Sequence, residues 1–219
     1  MRINKYVALA TGMSRRAADQ AITWGRIAVN GQPPLSAGYN VQENDVVSLD
    51  GKTLKIHEKF TTILLNKPVG YVVSRDGQGS QSIYELLPEA YHALKPVGRL
   101  DKASSGLLLL TNNGDLANRL THPSYKKDKV YEIELYVPLK PEDKRAIEQG
   151  IKLDDGLSAL QLTGNGTNWT VTMSEGRNRQ IRRTFGELGY TVKKLHRIQF
   201  GDYILKGTAE GTSRLVSED

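Results

Sequence analysis

The chain has 219 residues, with 30 Lys plus Arg against 24 Asp plus Glu, and the resulting net charge of +6 points first to a polyanionic partner such as nucleic acid. A mild basic excess is equally compatible with an ordinary protein surface. Cysteine is absent, which excludes a disulfide framework, a thiolate metal site and a cysteine nucleophile.

The four histidines, His57, His92, His122 and His196, lie far apart and show no metal-ligand spacing, so no metal is expected. Residues 1–10 have no apolar core of signal-peptide length, and no window approaches a membrane span. The expectation is a cytoplasmic protein with no membrane partner.

In chain order, Ile3, Tyr6, Val7 and Ala10 recur at helical spacing before the breaker Gly12 and predict a short amphipathic helix. Ser14 reads as the N-cap of a second helix through Ala17, Ala18, Ala21 and Ile22 to Trp24, with Gly25 suited to the left-handed position beyond it. Ile27-Ala28-Val29 predicts a strand running into the turn signal Asn30-Gly31. A second strand follows over residues 45–49, turning at Asp50-Gly51. These elements make a compact module over residues 1–55, with Arg15, Arg16 and Arg26 near the second helix. A charged stretch without apolar period, residues 55–59, predicts the junction.

From residue 60 to 219 the pattern is strand-rich. Apolar runs at 62–65, 71–73 and 107–110 predict strands, and Tyr131, Ile133, Leu135 and Val137 alternate with Glu132 and Glu134 as a half-buried strand does. Helices are expected around residues 83–87, 115–120, 141–150 and 178–188. The fold class predicted is α+β, a small helix-and-hairpin module followed by a larger domain around a mainly antiparallel mixed sheet.

Two clusters bear chemistry. Gly98-Arg99-Leu100-Asp101 lies just before Ser104-Ser105-Gly106 and the apolar run 107–110. A carboxylate on a loop that feeds a buried strand is held by a rigid scaffold yet accessible, which suits catalysis. On spacing alone, an Asp beside an Arg and ahead of Ser residues is more often a turn-former or a surface ion pair. Between Ser174 and Arg197, seven basic residues (Arg177, Arg179, Arg182, Arg183, Lys193, Lys194, Arg197) accompany two acidic ones (Glu175, Glu187). Ile181, Phe185 and Leu188 mark the buried face of a helix that Gly189 ends. Arg182 sits at the edge of that face, where a charge needs an anionic partner, while Arg179 and Arg183 project outward. Alone, this segment also reads as a solvated basic helix face.

Several motifs occur together: Asn66-Lys67-Pro68-Val69-Gly70, Gly98 to Asp101 with Ser104 to Gly114, Lys129-Val130-Tyr131, and Glu175 to Arg183. In order and spacing this set resembles bacterial ribosomal RNA pseudouridine synthases of the RsuA and RluB/RluE/RluF group. Ser14-Arg15-Arg16-Ala17-Ala18 and Gly25 to Gly31 resemble the small RNA-binding domain, named after a ribosomal small-subunit protein, that commonly precedes their catalytic domain. Asn113 stands where an acidic residue is common in that group, and Thr184 where Met is common.

The resemblance implies an RNA-binding domain over 1–55 and a catalytic domain over 60–219. It implies isomerisation of one uridine in ribosomal RNA, needing no cofactor, by a monomer that takes part in ribosome biogenesis. Asp101 matches the essential carboxylate, Tyr131 the tyrosine that stacks on the target base, and Arg182 the basic residue that pairs with the aspartate and orients it. Arg99 matches an arginine that helps displace the target nucleotide, although a phosphate clamp or plain salt bridge also fits. Lys67, Arg177, Arg179 and Arg183, with Arg15, Arg16 and Arg26, complete the expected RNA contacts. Leu195 or Ile198 is expected beneath the base, and Tyr131 has ordinary core packing as its competing role. The alternative function is a non-catalytic RNA-binding assembly factor. A uridine methyltransferase would typically use the cysteine this chain lacks and a donor-binding glycine motif it does not show.

Overall fold

The computed structural model describes residues 1–56 and 60–216, and the chain divides into two compact units, Met1–Phe60 and Thr61–Asp219. Most of the junction expected at residues 55–59 therefore lies outside the described residues. Among the described residues, no helix is long and apolar enough to cross a membrane.

In the first unit, α1 (Ile3–Thr11) stops at Gly12, whose φ of 77° no β-substituted residue adopts readily. The Ser14 Oγ accepts from the Ala17 N–H at 3.1 Å and caps α2 (Arg15–Thr23). Ala18, Ala21 and Ile22 of α2 pack with Ile3 and Val7 of α1 against an antiparallel sheet of β1 (Ile27–Val29), β2 (Val47–Leu49) and β3 (Lys52–Thr53). Asp50-Gly51, at φ 50° and 79°, is the two-residue turn joining β2 to β3. Asn30-Gly31 has the same left-handed geometry, but it returns the chain only as far as a single Val29–Gln32 bridge. Pro33 and Pro34 follow and have no N–H to extend a ladder, so the strand that pairs β1 arrives from residues 47–49 instead.

The second unit contains, in order, β4 (Thr62–Lys67), β5 (Lys95–Pro96), β6 (Ser105–Thr111), α3 (Gly114–Thr121), β7 (Lys129–Leu135), α4 (Pro141–Gln149), β8 (Ile151–Leu153), β9 (Gly156–Ser158), β10 (Gln161–Asn165), β11 (Asn168–Met173), α5 (Gln180–Gly186), β12 (Val192–Phe200), β13 (Tyr203–Ile204) and β14 (Ser213–Val216). The main sheet runs β10-β11-β7-β12-β6-β4-β14, antiparallel except where β12 meets β6. Leu108 and Leu110 face a core with Ile63, Leu65, Ile133 and Phe185, whereas Leu107 and Leu109 face a second core with Leu64, Val97, Leu116 and Phe200. Burial on both faces is why residues 107–110 read as a continuous apolar run instead of an alternating one.

Residues 71–73 are not a strand. Among the described residues their only ladder contact is an isolated Val72–Ser82 bridge, before a 3-10 turn (Ile83–Leu86) held by a Ser82/Glu85 capping box. Conversely, β12 is invisible to period-two reading, because register shifts between Val192 and Lys194 and between Arg197 and Gln199 break its alternation. The two departures from the family pattern have local reasons. The Asn113 side chain accepts from the N–H groups of Asp115 (3.1 Å) and Leu116 (3.0 Å), capping α3 as an acidic residue would. Thr184 is fully buried, donating to the Gln180 carbonyl at 2.9 Å and meeting the Ser158 hydroxyl at 2.8 Å.

Candidate active site

The loop of residues 98–104 precedes β6, and its shape is fixed from below by Lys67 at the end of β4. Lys67 is wholly buried, and its Nζ donates to the carbonyls of Pro68 (2.9 Å), Asp101 (3.2 Å) and Ser104 (2.7 Å). Burial pulls its pKa down to about 8, opposed by the charge of Asp101. The Ser104 N–H also donates to the Asp101 carbonyl at 3.0 Å, and the Gly70 N–H to that of Lys102 at 2.8 Å. The Asp101 backbone is thus pinned while about a third of its side chain remains exposed. Lys67 was expected to contact RNA; enclosed and saturated by three carbonyls, it cannot, and its role is to position the loop.

Gly106, at the start of β6, has φ 104°, and a Cβ there would collide with the Arg197 backbone. Glycine therefore permits the close parallel pairing of β6 with β12, in which Arg197 faces Gly106. On its other side β12 pairs with β7, so that Arg197 also lies opposite Tyr131.

An open cavity of about 480 Å³ lies beside these strands, and Arg99, Asp101, Tyr131, Arg179, Leu195 and Arg197 are among its walls. Tyr131 belongs to the core cluster and also lines the cavity. Of Leu195 and Ile198, only Leu195 is among the residues that line the cavity. Arg99 is exposed at the rim. Arg15, Arg16 and Arg26 belong to the other unit, where Arg26 is held on Asp50 at 2.6 Å.

The expected partner of Asp101 was Arg182. The ion pair is instead made by Arg179, whose Nη1 lies 3.5 Å from the Asp101 Oδ2. Arg179 reaches there from a left-handed backbone, φ 46°, uncommon for a side chain of its size. The Arg182 guanidinium is spent on backbone, donating to the carbonyls of Val192 (2.6 Å) and Ala103 (2.9 Å). Burial lowers its pKa, as does neighbouring Arg179, while Asp101 acts in the opposite sense. Arg182 therefore ties α5 to the Asp101 loop and to the start of β12.

Arg177 and Arg183 are also engaged within the fold. Arg177 meets Asp155 (2.7 Å), Glu175 (3.1 Å) and the Leu157 carbonyl (2.8 Å), and Arg183 meets Asp154 and Asp155, each at 2.6 Å. Both fasten the β8–β9 hairpin to the segment that carries Arg179, and their charge is matched locally, unlike the open phosphate contacts expected of them. Gln180 completes this frame, donating to Ser158 Oγ at 3.0 Å and to Glu175, and accepting from the Arg177 N–H at 3.1 Å.

Sequence reasoning missed Arg197 and Lys129 as parts of the site. Arg197 is almost fully buried, donates through Nε to the Leu107 carbonyl at 2.8 Å and stacks over Phe200. Lys129 also lies over that ring, 5.1 Å from its centroid, its pKa lowered by burial first and then by Arg197. The available signal was the spacing of Leu195 and Arg197, which share a face once β12 is recognised as a strand. Among the described residues no cluster of His, Asp and Glu could hold a metal ion.

The chain is similar to known proteins along almost its whole length. Residues 61–187 match the family model of RNA pseudouridylate synthases, and residues 1–47 that of the S4 domain. An uncharacterised RNA pseudouridine synthase of Aquifex aeolicus is 37% identical, with 100% of this chain and 91% of that protein aligned. The ribosomal large subunit pseudouridine synthase B of Bacillus subtilis is 35% identical, with 97% and 91% aligned, and that of Vibrio cholerae 34%, with 93% and 67%. A crystal structure of a pseudouridylate synthase superposes with a TM-score of 0.70 at 30% identity, covering 99% of this chain and 96% of the other. With its S4 domain, its catalytic-domain match and relatives aligned along almost its entire length, the chain belongs to the RNA pseudouridine synthase family.

Proposed function

We propose that this enzyme converts a uridine of ribosomal RNA to pseudouridine in the cavity around Asp101. The observation that carries this reading is the convergence of three side chains from separate elements. Asp101 from the loop before β6, Tyr131 from β7 and Arg179 from the start of α5 line one cavity of about 480 Å³, within the size range of small-molecule sites.

The reaction breaks the bond from ribose C1′ to uracil N1, turns the base, and joins C1′ to C5. The C5 proton leaves and N1 gains one, so the balance needs no redox partner or group donor. The Asp101 carboxylate serves the sugar, either by adding to C1′ and leaving when C5 attacks, or by stabilising its cationic character while C2′ loses a proton that returns to it as C1′ joins C5. Arg179 orients the carboxylate, Tyr131 stacks on the uracil ring, and Leu195 lies beneath it. A base stacked in RNA cannot enter such a cavity, so the target nucleotide is flipped, with Arg99 at the rim taking its place or its phosphate. The names of the Bacillus and Vibrio relatives favour large-subunit RNA.

The test is to incubate the protein with ribosomal RNA and map pseudouridine chemically while measuring RNA mass. One new pseudouridine at unchanged mass is expected. RNA bound with no pseudouridine formed would instead support a non-catalytic assembly factor.

A further inference from the structure

The S4 unit carries an exposed feature that the cavity chemistry does not use. Arg16, Gln20 and Trp24 follow one another at i, i+4 and i+8, and all three are exposed, so they form one solvent-facing stripe along α2 and its C-cap. Trp24 continues the stripe because its backbone, φ −80° and ψ 5°, is still nearly helical before Gly25 turns the chain away.

The two tryptophans of the chain make a sharp contrast. Trp169 is 7% exposed, packs in the catalytic core and donates its Nε1–H to the Gly166 carbonyl at 3.0 Å. Trp24 is 68% exposed, and its indole N–H meets no acceptor among the described residues. A single exposed apolar side chain is ordinary on a protein surface, but an indole open to solvent offers a flat face that a partner of suitable chemistry covers.

The charge around Trp24 indicates what does. Three of the four acidic side chains among residues 1–56 are engaged inside the unit. Asp19 accepts from Asn4 at 2.8 Å, Asp45 from Tyr39 (2.7 Å), Asn30 (2.9 Å) and the Gln42 N–H (2.8 Å), and Asp50 holds Arg26. Arg15 reaches only the Asn4 amide oxygen at 3.2 Å, and neither Arg15 nor Arg16 has a carboxylate partner among the described residues. The helix thus offers an aromatic plane at one end of a stripe and uncompensated guanidinium charge at the other. About 12 Å of helix separates Arg16 from Trp24, so the combination fits a single-stranded segment in which one base stacks on the ring while the phosphate of a neighbouring nucleotide meets the cation.

We infer that Trp24 is a stacking platform for an unpaired base in a loop or bulge of the RNA substrate, with Arg16 on the phosphate of a neighbouring nucleotide. The inference rests on the proposed RNA substrate and adds a second recognition point, in a different unit from the reacting uridine.

The experiment titrates the full chain with an RNA hairpin bearing a single-stranded loop, and with a blunt duplex of the same stem. Both indoles fluoresce, so the Trp24 signal is the difference between wild type and Trp24→Ala, whose remaining emission comes from the buried Trp169. The hairpin should quench the exposed-indole emission and shield it from acrylamide, whereas the duplex should do neither. Trp24→Ala should weaken hairpin binding by about 5- to 150-fold without altering the salt slope, because stacking releases no counterions. Trp24→Tyr should restore most of that loss. Wild-type hairpin affinity in Trp24→Ala, emission indifferent to the hairpin, or a Trp24→Ala phenotype confined to oligomeric mass would each overturn the inference, the last by making Trp24 a protein contact. If the wild-type protein forms pseudouridine while Trp24 stays silent, only this inference fails. If Trp24 responds to the hairpin and no pseudouridine forms, only the proposed reaction fails.

Discussion

Lys67 Nζ lies 3.2 Å from the Asp101 carbonyl oxygen, so a fully enclosed ammonium on β4 holds the backbone of the residue whose side chain faces the cavity. Removing it takes a donor from three carbonyls, of which that of Asp101 keeps the Ser104 N–H, and a carbonyl left unpaired away from water is expensive. Lys67→Met should lower stability by about 1–3 kcal/mol and, by loosening the loop, slow turnover by roughly 100-fold. Thermal unfolding and single-turnover rates measure the two effects separately. Unchanged turnover in a destabilised protein would show that the loop does not depend on this lysine.

The same residue gives a pH signature. Its pKa is about 8 in the folded protein against 10.5 ordinarily, so between these values the unfolded chain holds a proton that the folded chain has released. Stability therefore gains from Lys67 as pH rises through that window. Denaturant unfolding on either side of pH 8 should show this gain in wild type and not in Lys67→Met. Parallel curves for the two proteins would contradict it.

Arg179 and Arg182 should separate cleanly on mutation. Arg179 is half-exposed and touches the Asp101 carboxylate, so Arg179→Ala should cost turnover with less than about 1 kcal/mol of stability. Arg182→Met strips donors from the Val192 and Ala103 carbonyls, and should destabilise by about 1–3 kcal/mol as well as slow the reaction. Equal melting temperatures for the two variants would overturn this division of labour.

The basic residues around the cavity should differ in their response to salt. Arg99 is exposed at the rim, so Arg99→Ala should reduce the slope of log affinity against log salt by roughly 0.7 to 0.9. Arg183 is already matched by Asp154 and Asp155, so Arg183→Ala should leave the slope near the wild-type value. A larger change from Arg183 than from Arg99 would reverse the assignment.

Much of the fold was legible where local chemistry is self-contained. Gly12, Ser14 and Gly25 mark the ends of α1 and α2, and the alternation through Tyr131 and Ile133 marks β7, because caps and periodicity act over a few residues. Features set by distant chain were hidden. Asn30-Gly31 carries a hairpin signal that Pro33 and Pro34 cut short, and the bulges in β12 concealed the strand that brings Leu195 and Arg197 to the cavity. The motifs brought Asp101, Tyr131 and Arg179 into view. They could not tell which arginine meets the carboxylate, because the left-handed backbone at Arg179 and the carbonyls facing Arg182 and Lys67 exist only in the folded chain.

The most direct test of the central claim is tritium release from RNA labelled at uridine C5, comparing wild type with Asp101→Asn. The amide is nearly isosteric and leaves the Lys67–Asp101 backbone contact in place, so folding and RNA affinity should persist while release falls to background. Release within about tenfold of wild type, by a variant shown to be folded and RNA-bound, would contradict the assignment of Asp101 as the carboxylate that serves the sugar.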